Sequence, residues 1–416
     1  MDANVVGIRR WTDVLVIGLF CIGIALPLAA QLSGWSQAFD ESTENRQAAA
    51  FPQLEYKRRG PVMLPRKGSM VEFPEKFEAY FNDHLGLRRE LIRGYTLAKV
   101  HGITPGALAS LTVGKQSLAP VIVGREGWLY YSGESAVENY RCTSPLTSAE
   151  LEHWKQSLVS RGRWLAARGI PYVLMFTPDK PTIYPEYLPR AINRVGEKSR
   201  LDQLVAYLGE HTDLTVIDVR GVLVAGKAQY PTYHRTDTHW NMYGALLGYQ
   251  QLMQAVSRHL PQAPRKMLGD FEMSLREESS PFDLAKMLDS PAPLTDTIIE
   301  LKPRKGRHAQ PGQRPTSSAV SETSRSLCAG AELPRLTVLH DSFFWNLMPL
   351  VNEDWQEIEY FRTTRFPATE IDRFRPTMVV QQMVERHLKW KLENPPGLDV
   401  AAPVDWARKP SEARQR

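Results

Sequence analysis

The sequence lacks several features that define large classes of proteins. It has only three cysteines among 416 residues, and no spacing of cysteine and histidine resembles a structural zinc site. It carries no helix-turn-helix, zinc-finger or RNA-binding signature, so nothing indicates a nucleic-acid partner. The apolar fraction of 43% and the charged fraction of 23% exclude a disordered protein. The chain can therefore bury one large core or two modest ones.

The charge balance is only mildly basic. The formal net charge is +5 and the pI is about 9.0, with basic runs at residues 57–59 and 302–307. Such runs suit an acidic polymer or a membrane surface, although a solvated face is the commoner explanation. Charge alone therefore leaves the partner open.

One long apolar run lies near the N-terminus. Residues 14–30 are continuously apolar or small, which with their flanks is just long enough to span a bilayer. Because Arg9 and Arg10 precede the run, the positive-inside rule predicts a cytoplasmic tip and an exported remainder. A cleaved signal peptide is the alternative, but Leu28 stands where a cleavage signal needs a small residue. We therefore expect an inner-membrane anchor and a periplasmic location.

The cysteines are compatible with an oxidising compartment. Cys21 lies inside the apolar run, whereas Cys142 and Cys328 could form a disulfide or remain two free thiols. The sequence leaves both alternatives open.

From residue 147 onward, helix and strand patterns alternate. Apolar runs typical of strands occur at residues 172–176, 214–218, 336–339, 358–361 and 378–380. Helices are predicted from a capping box at residues 147–150, around residues 197–208, after Asn241, after Ser342 and over residues 384–392. Such alternation predicts a mostly parallel sheet covered by helices on both faces, with ligands bound at the carboxyl ends of the strands.

The predicted organisation has four parts. Residues 1–31 are a cytoplasmic tip and a transmembrane signal-anchor, and residues 32–70 are a linker. Residues 71–394 form one globular domain, and residues 395–416 are a loose tail. Within the domain, residues 302–325 are rich in Gly, Ser, Pro, Gln and basic residues, which predicts a flexible insertion.

Two polar stretches carry the candidate chemistry. Asp237 and His239 are two positions apart, so in an extended segment the carboxylate can hold one ring nitrogen and leave the other free. Ser342 follows a predicted strand and therefore lies at the carboxyl edge of the sheet. A serine needs a base to take its proton, and an imidazole oriented by a carboxylate is the commonest base. The pattern predicts Ser342 as nucleophile, His239 as general base and acid, and Asp237 as orienting carboxylate.

Two other interpretations of these residues stay open at this point. Asp237 and His239 could be a structural hydrogen-bonded pair, with Ser342 only capping a helix. His234, Asp237 and His239 could also bind a divalent ion, but no further ligand cluster accompanies them, so we expect no metal.

Five stretches, in chain order, carry a family resemblance. They are residues 80–88 (YFNDHLGLR), 124–130 (GREGWLY), 178–189 (PDKPTIYPEYLP), 236–240 (TDTHW) and 340–343 (HDSF). Together they resemble the alginate O-acetyltransferase group within the SGNH hydrolase-like superfamily. The similarity runs from about Val71 to Leu388. His340 departs from the pattern of GDSL-type esterases, which have glycine there.

The resemblance implies a fold, an activity and partners. It implies a flavodoxin-like three-layer α/β/α sandwich with a parallel sheet, and a triad of Ser342, His239 and Asp237. Members of the group are exported enzymes that pass acetyl groups to hydroxyls of an exopolysaccharide such as alginate, without a cofactor. The acetyl group is expected from a membrane-bound O-acyltransferase partner or a small acetyl ester, beside other exopolysaccharide synthesis and export proteins.

Two alternative functions remain at the level of sequence. One is an esterase that deacetylates the polysaccharide, and the other is a non-catalytic assembly factor of the exopolysaccharide machinery. No clear carbohydrate-binding module follows the domain, so contacts with sugar must come from the domain itself or from partners. Trp240, Trp128 and Trp345 are candidates for stacking a sugar ring, although each could equally belong to the core.

Overall fold

The chain divides into two compact units. One comprises residues 1–123 and 281–294, and the other comprises residues 124–280 and 295–416. A computed structural model describes residues 48–59, 62–84, 121–280, 282–288, 294–306, 308–312 and 322–398, with isolated positions between residues 14 and 33. The domain predicted from residue 71 therefore includes parts of both units.

Strands and helices alternate through most of the described chain. The strands are β1 (Tyr56–Arg59), β2 (Val62–Pro65), β3 (Val121–Val123), β4 (Leu129–Tyr131), β5 (Tyr172–Thr177), β6 (Thr215–Asp218), β7 (Phe271–Ser279), β8 (Thr295–Pro303), β9 (Gln310–Pro311), β10 (Thr323–Leu327), β11 (Leu333–His340), β12 (Trp355–Arg362) and β13 (Met378–Val384). The α-helices are α1 (Lys67–His84), α2 (Ala136–Arg141), α3 (Ser148–Ala166), α4 (Lys180–Ile183), α5 (Arg200–His211), α6 (Arg220–Gly226), α7 (Met242–Val256), α8 (Asp283–Leu288), α9 (Met348–Val351) and α10 (Ala368–Phe374). Short 3-10 helices cover Arg125–Gly127, Pro185–Tyr187, Leu268–Asp270, Ser342–Asn346 and Glu385–Lys389.

The first unit contains a hairpin and a long helix. Strands β1 and β2 pair antiparallel, and α1 follows directly. The rings of Phe73, Phe77 and Phe81 lie along α1, with centroids 5.9 Å and 6.5 Å apart in succession. The predicted linker at residues 32–70 therefore holds regular structure in its described part.

Eight of the seventeen residues of the predicted membrane anchor, residues 14–30, lie outside the described residues. Where the structure does describe the chain, no helix has both the length and the apolar composition that crossing a bilayer requires.

A seven-stranded mixed sheet organises the second unit. Its strand order is β6-β5-β13-β11-β12-β10-β9. The first five strands are parallel, whereas β10 is antiparallel to both of its neighbours. The sequence predicted the parallel part correctly. Strand β9 and the start of β10 fall within residues 302–325, which were predicted to be a flexible insertion, and residues 313–321 of that stretch lie outside the described residues.

Helices cover both faces of the parallel strands. Leu158 and Leu165 of α3 cluster with Leu174 and Phe176 of β5, and α5 and α10 contribute to the same core. Met175 points to the opposite face, where its methyl group lies close to Gly248 of α7. The predicted three-layer α/β/α arrangement is confirmed.

Local signals fixed the start of α3. The Thr147 hydroxyl accepts from the backbone N–H of Glu150 at 3.2 Å, and the Glu150 carboxylate accepts from the backbone N–H of Thr147 at 2.7 Å. This reciprocal pair satisfies two donors that the helix leaves without an internal partner. Gly169, with φ of +68°, follows the end of the helix as expected.

The helix predicted over residues 384–392 is wrong. Strand β13 continues to Val384 because residues 379–384 pair in register with β5, and every residue of β13 is buried. A short 3-10 helix, Glu385–Lys389, then replaces the predicted α-helix. The pairing with a neighbouring strand overrides the local helix signal.

The disulfide considered for Cys142 and Cys328 does not form. Both are buried free thiols. The guanidinium of Arg194 donates to the sulfur of Cys142 at 3.3 Å, and the sulfur of Cys328 lies 4.0 Å from the carbonyl oxygen of Glu353. The two sulfurs therefore contact different neighbours, Arg194 for Cys142 and Glu353 for Cys328.

Candidate active site

Three predicted side chains meet at the carboxyl edge of the sheet. His239 Nδ1 lies 2.6 Å from Asp237 Oδ1, and His239 Nε2 lies 2.8 Å from Ser342 Oγ. The two contacts use different ring nitrogens, so a neutral imidazole can donate to Asp237 and accept from Ser342 at once. This is the arrangement of an activated serine nucleophile.

The Asp237–His239 contact forms in a turn rather than in an extended segment. Asp237 Oδ1 also accepts from the backbone N–H of His239 at 2.9 Å, which closes a local turn around Thr238. Short acidic side chains commonly bond to the backbone two residues further on. The predicted contact is present, but the geometric reason given for it from the sequence was wrong.

The loop that carries this pair is held at several points. Asp296 of β8 accepts from the backbone N–H groups of Arg235 at 3.2 Å and Thr236 at 2.7 Å. Asn241 caps α7 through the backbone N–H of Gly244 at 3.0 Å. A Cβ added to Gly244 would lie 2.1 Å from the carbonyl oxygen of Thr232, so only glycine allows α7 to approach this closely.

Ser342 lies at the start of a 3-10 helix after β11. The Asp341 carboxylate accepts from the backbone N–H of Phe343 at 3.0 Å and of Val384 at 2.6 Å. Gln382 donates a further bond to it at 3.0 Å. Asp341 thereby ties the turn that carries Ser342 to the end of β13.

Trp240 joins the two catalytic stretches from within the core. Its indole N–H donates to the carbonyl of Phe343 at 2.9 Å, and its own carbonyl accepts from the side chain of Asn346 at 2.6 Å. Trp240 is fully buried, so the predicted role in stacking sugar is wrong. Its contacts tie the segment that carries His239 to the turn that carries Ser342.

The other two candidate tryptophans have different environments. Trp128 is buried and stacks on Tyr184 and Tyr187 at 4.3 Å and 4.7 Å, so its predicted sugar contact is also wrong. Trp345 is 48% exposed, and its ring centroid lies 6.3 Å from that of His239. Of the three, Trp345 alone can reach a ligand beside the triad.

The electrostatics of the pair favour an ionised Asp237. Burial opposes the charge on this carboxylate, but the hydrogen bond and the charge of His239 outweigh it and hold the pKa of Asp237 well below its usual range. Asp237 therefore stays negative across the neutral range and can stabilise an imidazolium on His239.

A buried ionic network lies behind the turn that carries Ser342, and no sequence motif predicted it. His387 Nδ1 lies 3.2 Å from Asp341 Oδ2, and His387 Nε2 lies 3.4 Å from Glu134 Oε2. Arg386 also bonds Glu134, at 2.9 Å, and pairs with Asp179. Both ring nitrogens of His387 thus face carboxylates, which favours its charged form.

The pKa of His387 reflects this environment. Burial lowers it, but hydrogen bonds to Asp341 and Glu134 raise it above the ordinary value overall. A group whose pKa is raised by folding stabilises the folded state fully below its unfolded pKa of about 6.5. That stabilisation is lost as the pH rises through the folded-state pKa.

We therefore expect His387→Gln to lower the free energy of unfolding by about 1–3 kcal/mol near pH 6, because buried charged partners lose a donor. The difference from the unchanged protein should shrink at alkaline pH. Urea unfolding of both proteins across the pH range measures it. His211→Gln, on the exposed end of α5, is the matched control, and a deficit that does not vary with pH would contradict a charged His387.

A cavity of about 400 Å³ opens beside the nucleophile turn. It lies at the carboxyl ends of three adjacent strands, β11, β12 and β13, and its lining includes His340, Asp341, Arg362, Gln382, His387 and Trp390. Because Asp341 immediately precedes Ser342, the wall of the cavity begins one residue from Ser342. Crevices at this edge are the usual ligand sites of parallel sheets.

The parallel sheet and the contacts of Ser342, His239 and Asp237 define an α/β protein of the hydrolase-like class. Residues 121–344, more than half of the chain, match the family described as SGNH hydrolase-like domain, acetyltransferase AlgX. The chain belongs to this family. The resemblance inferred from five short motifs is thereby confirmed.

The sequence is similar to those of two curated relatives. The chain is 26% identical over 281 residues to the probable alginate O-acetylase AlgJ of Pseudomonas aeruginosa, covering 65% of this chain and 64% of that protein. It is 25% identical over 216 residues to the probable alginate O-acetylase AlgJ of Pseudomonas putida, covering 51% and 52% respectively. The alignments thus span less than two thirds of either relative.

Solved structures show a more distant similarity. The O-acetyltransferase domain of Pseudomonas putida AlgJ is 19% identical with a TM-score of 0.44, covering 67% of this chain and 94% of that domain. PatB1 of Bacillus cereus is 14% identical with a TM-score of 0.45, covering 64% of this chain and 96% of that structure.

Proposed function

We propose that this protein is an O-acetyltransferase that acetylates hydroxyl groups of an exported polysaccharide through an acetyl-serine intermediate. The observation that carries the proposal is the continuous hydrogen-bonded path from Ser342 through His239 to Asp237. Membership of a family described by acetyl transfer, and relatives named as probable alginate O-acetylases, support the group transferred and the kind of acceptor.

The first half-reaction loads the enzyme. His239 Nε2 takes the proton of Ser342, whose oxygen attacks the carbonyl carbon of an acetyl ester. The tetrahedral intermediate collapses as the bond to the donor oxygen breaks, and His239 returns the proton to that leaving oxygen. Acetyl-Ser342 and the deacetylated donor alcohol are the products.

The second half-reaction reverses the roles at the same imidazole. A sugar hydroxyl gives its proton to His239 Nε2 and attacks the acetyl carbon, which breaks the bond to Ser342. The proton then passes to the serine oxygen and restores the enzyme. Asp237 holds the Nδ1–H in place throughout, and the scheme requires no cofactor besides the acetyl donor.

The negative charge of each tetrahedral intermediate needs a donor close to Ser342. Asp341 fixes the turn by accepting from the N–H of Phe343 and, through its carbonyl, from the N–H of Phe344 at 3.2 Å. Ser342 is the first residue of this turn, and we propose its backbone N–H as the hydrogen-bond donor to the oxyanion.

Water competes with the sugar hydroxyl for acetyl-Ser342, so the assay must separate transfer from hydrolysis. The whole chain in detergent is given a small acetyl ester with and without an oligosaccharide acceptor, and the sugar is weighed by mass spectrometry. We expect acetylated sugar in proportion to donor consumed. Donor turnover with no acetylated sugar would instead indicate a deacetylating esterase, and no turnover at all would indicate an assembly factor.

We also propose the cellular setting. The apolar run at residues 14–30, preceded by Arg9 and Arg10, would anchor the protein in the inner membrane with its catalytic unit in the periplasm. A membrane-bound O-acyltransferase would then deliver acetyl groups, and the synthesis and export proteins would deliver the polysaccharide. Protease added to osmotically opened cells should digest the catalytic unit, and protection until the inner membrane is broken would contradict this orientation.

A further inference from the structure

The cavity of about 400 Å³ beside Asp341 carries information about the acceptor. It is joined to the triad by a row of side chains. The guanidinium of Arg362 lies 5.1 Å above the ring of Trp345, and that ring lies 6.3 Å from the imidazole of His239. A polymer passing the triad over the exposed Trp345 can therefore place a neighbouring sugar unit in the cavity.

The lining of the cavity has the composition of a sugar site. Trp390 is 40% exposed, and its ring is held by stacking on His387 with centroids 3.6 Å apart. Thr363 and Thr364 add hydroxyl groups to the same lining. An aromatic face with a few fixed polar groups suits a pyranose ring, which presents apolar faces and an equator of hydroxyls.

The charges in the lining discriminate between classes of sugar. Arg362 Nη1 donates to both carboxylate oxygens of Glu322, at 2.8 Å and 3.2 Å. His387 lies between the carboxylates of Asp341 and Glu134. Both cationic side chains of the lining are thus already matched by carboxylates of the protein.

A uronate unit would gain little binding free energy from its carboxylate in this cavity. Its carboxylate could bind Arg362 beside Glu322 or in place of it, and either way two carboxylates would lie next to one guanidinium, of which Glu322 uses Nη1. The Glu322–Arg362 pair is partly exposed, so opening it costs little, but the like-charge contact that follows is unfavourable. A neutral hexose meets neither problem because its hydroxyls can bond the polar lining with the ion pairs intact.

We propose that this cavity binds an uncharged sugar unit of the acceptor, so that the enzyme acts on a neutral glycan in preference to a uronic-acid polymer. The inference rests on the proposed function, since it concerns the acceptor of the same triad. Glu322 is the specificity-determining residue, and Trp345 and Trp390 supply the stacking surfaces.

Binding tests this inference separately from catalysis. Calorimetry with the whole chain in detergent compares cellohexaose with mannuronate hexamer, which match in length and differ in charge. We expect the neutral hexamer to bind about tenfold more tightly. Equal binding, tighter binding of the uronate, or binding of neither would overturn the proposal.

Variants at Glu322 identify the cause of the preference. Glu322→Gln should raise the affinity for the uronate hexamer about tenfold relative to the neutral one, because Arg362 is released and the repelling charge is removed. Glu322→Asp keeps the charge and is the matched control, which should retain the preference. An unchanged ratio in Glu322→Gln would overturn the role of Glu322. A protein that shows the binding preference yet acetylates neither hexamer would contradict the proposed function, while the preference of the cavity for an uncharged sugar would stand.

Discussion

Ser342→Ala is expected to lower kcat for acetyl transfer by about 10⁴- to 10⁶-fold, the range seen when a serine nucleophile is removed from a triad. The expectation follows from the bond between Ser342 Oγ and His239 Nε2, which gives the serine proton a base. Steady-state transfer from a small acetyl ester to an oligosaccharide measures the loss. The folded state should be unaffected, because the side chain is small and only part-buried.

The control for this variant is Ser326→Ala, which removes a buried hydroxyl from β10 without a contact to the triad. It should keep kcat within about twofold of the unchanged protein, as expected of a substitution remote from the chemistry. Activity of Ser342→Ala close to that of its control would show that another residue is the nucleophile.

Asp237→Asn is expected to lower kcat by about 10⁴-fold with a much smaller change in KM. An amide at this position can donate to His239 Nδ1, which would leave the proton on Nε2 and remove its ability to accept from Ser342. The variant also removes the charge that stabilises the imidazolium in each half-reaction. The comparison of kcat with KM matters here because a lost binding contact would raise KM instead.

A matched change at Asp218 separates chemistry from folding. Asp218→Asn removes the same charge from an ion pair with Arg220 at the end of β6. It should cost some stability and little kcat. Thermal unfolding of both variants checks that Asp237→Asn is folded, and a loss of kcat equal to that of Asp218→Asn would argue for a structural Asp237–His239 pair.

The parts of the fold that were predictable from sequence have strong local signals. The run at residues 172–176 is apolar throughout because β5 is buried on both faces, and the capping box at Thr147 is a contact between residues three apart. Ser342 could be placed beside His239 because carboxyl ends of parallel strands share one edge.

The missed elements depend on contacts distant in sequence. Strands β7 and β8 form a nine-residue antiparallel ladder; β7 alternates Phe271, Met273 and Leu275 with polar residues, but this signal is short and does not identify β8 as the partner. Strand β10 is defined by pairing with β12, which lies 30 to 38 residues further on, from Leu327 with Glu357 to Thr323 with Phe361. No local pattern could identify either pairing.

The supporting residues of the site were missed for the same reason. His387 acts on the nucleophile turn through Asp341, and Trp240 joins the two loops through Phe343 and Asn346. The identity of an aromatic residue near the histidine does not reveal whether its side chain faces solvent or the core. The structure was needed to separate the buried Trp240 and Trp128 from the exposed Trp345.

The most direct test of an acetyl-Ser342 intermediate is mass spectrometry of the protein after brief exposure to a small acetyl ester without acceptor. One added acetyl group should appear on the peptide that contains Ser342, and it should disappear when an oligosaccharide is added. The same group should be absent from that peptide in Ser342→Ala. Acetylation of a different residue, or transfer to sugar at full rate with no acetyl group on Ser342, would contradict the mechanism.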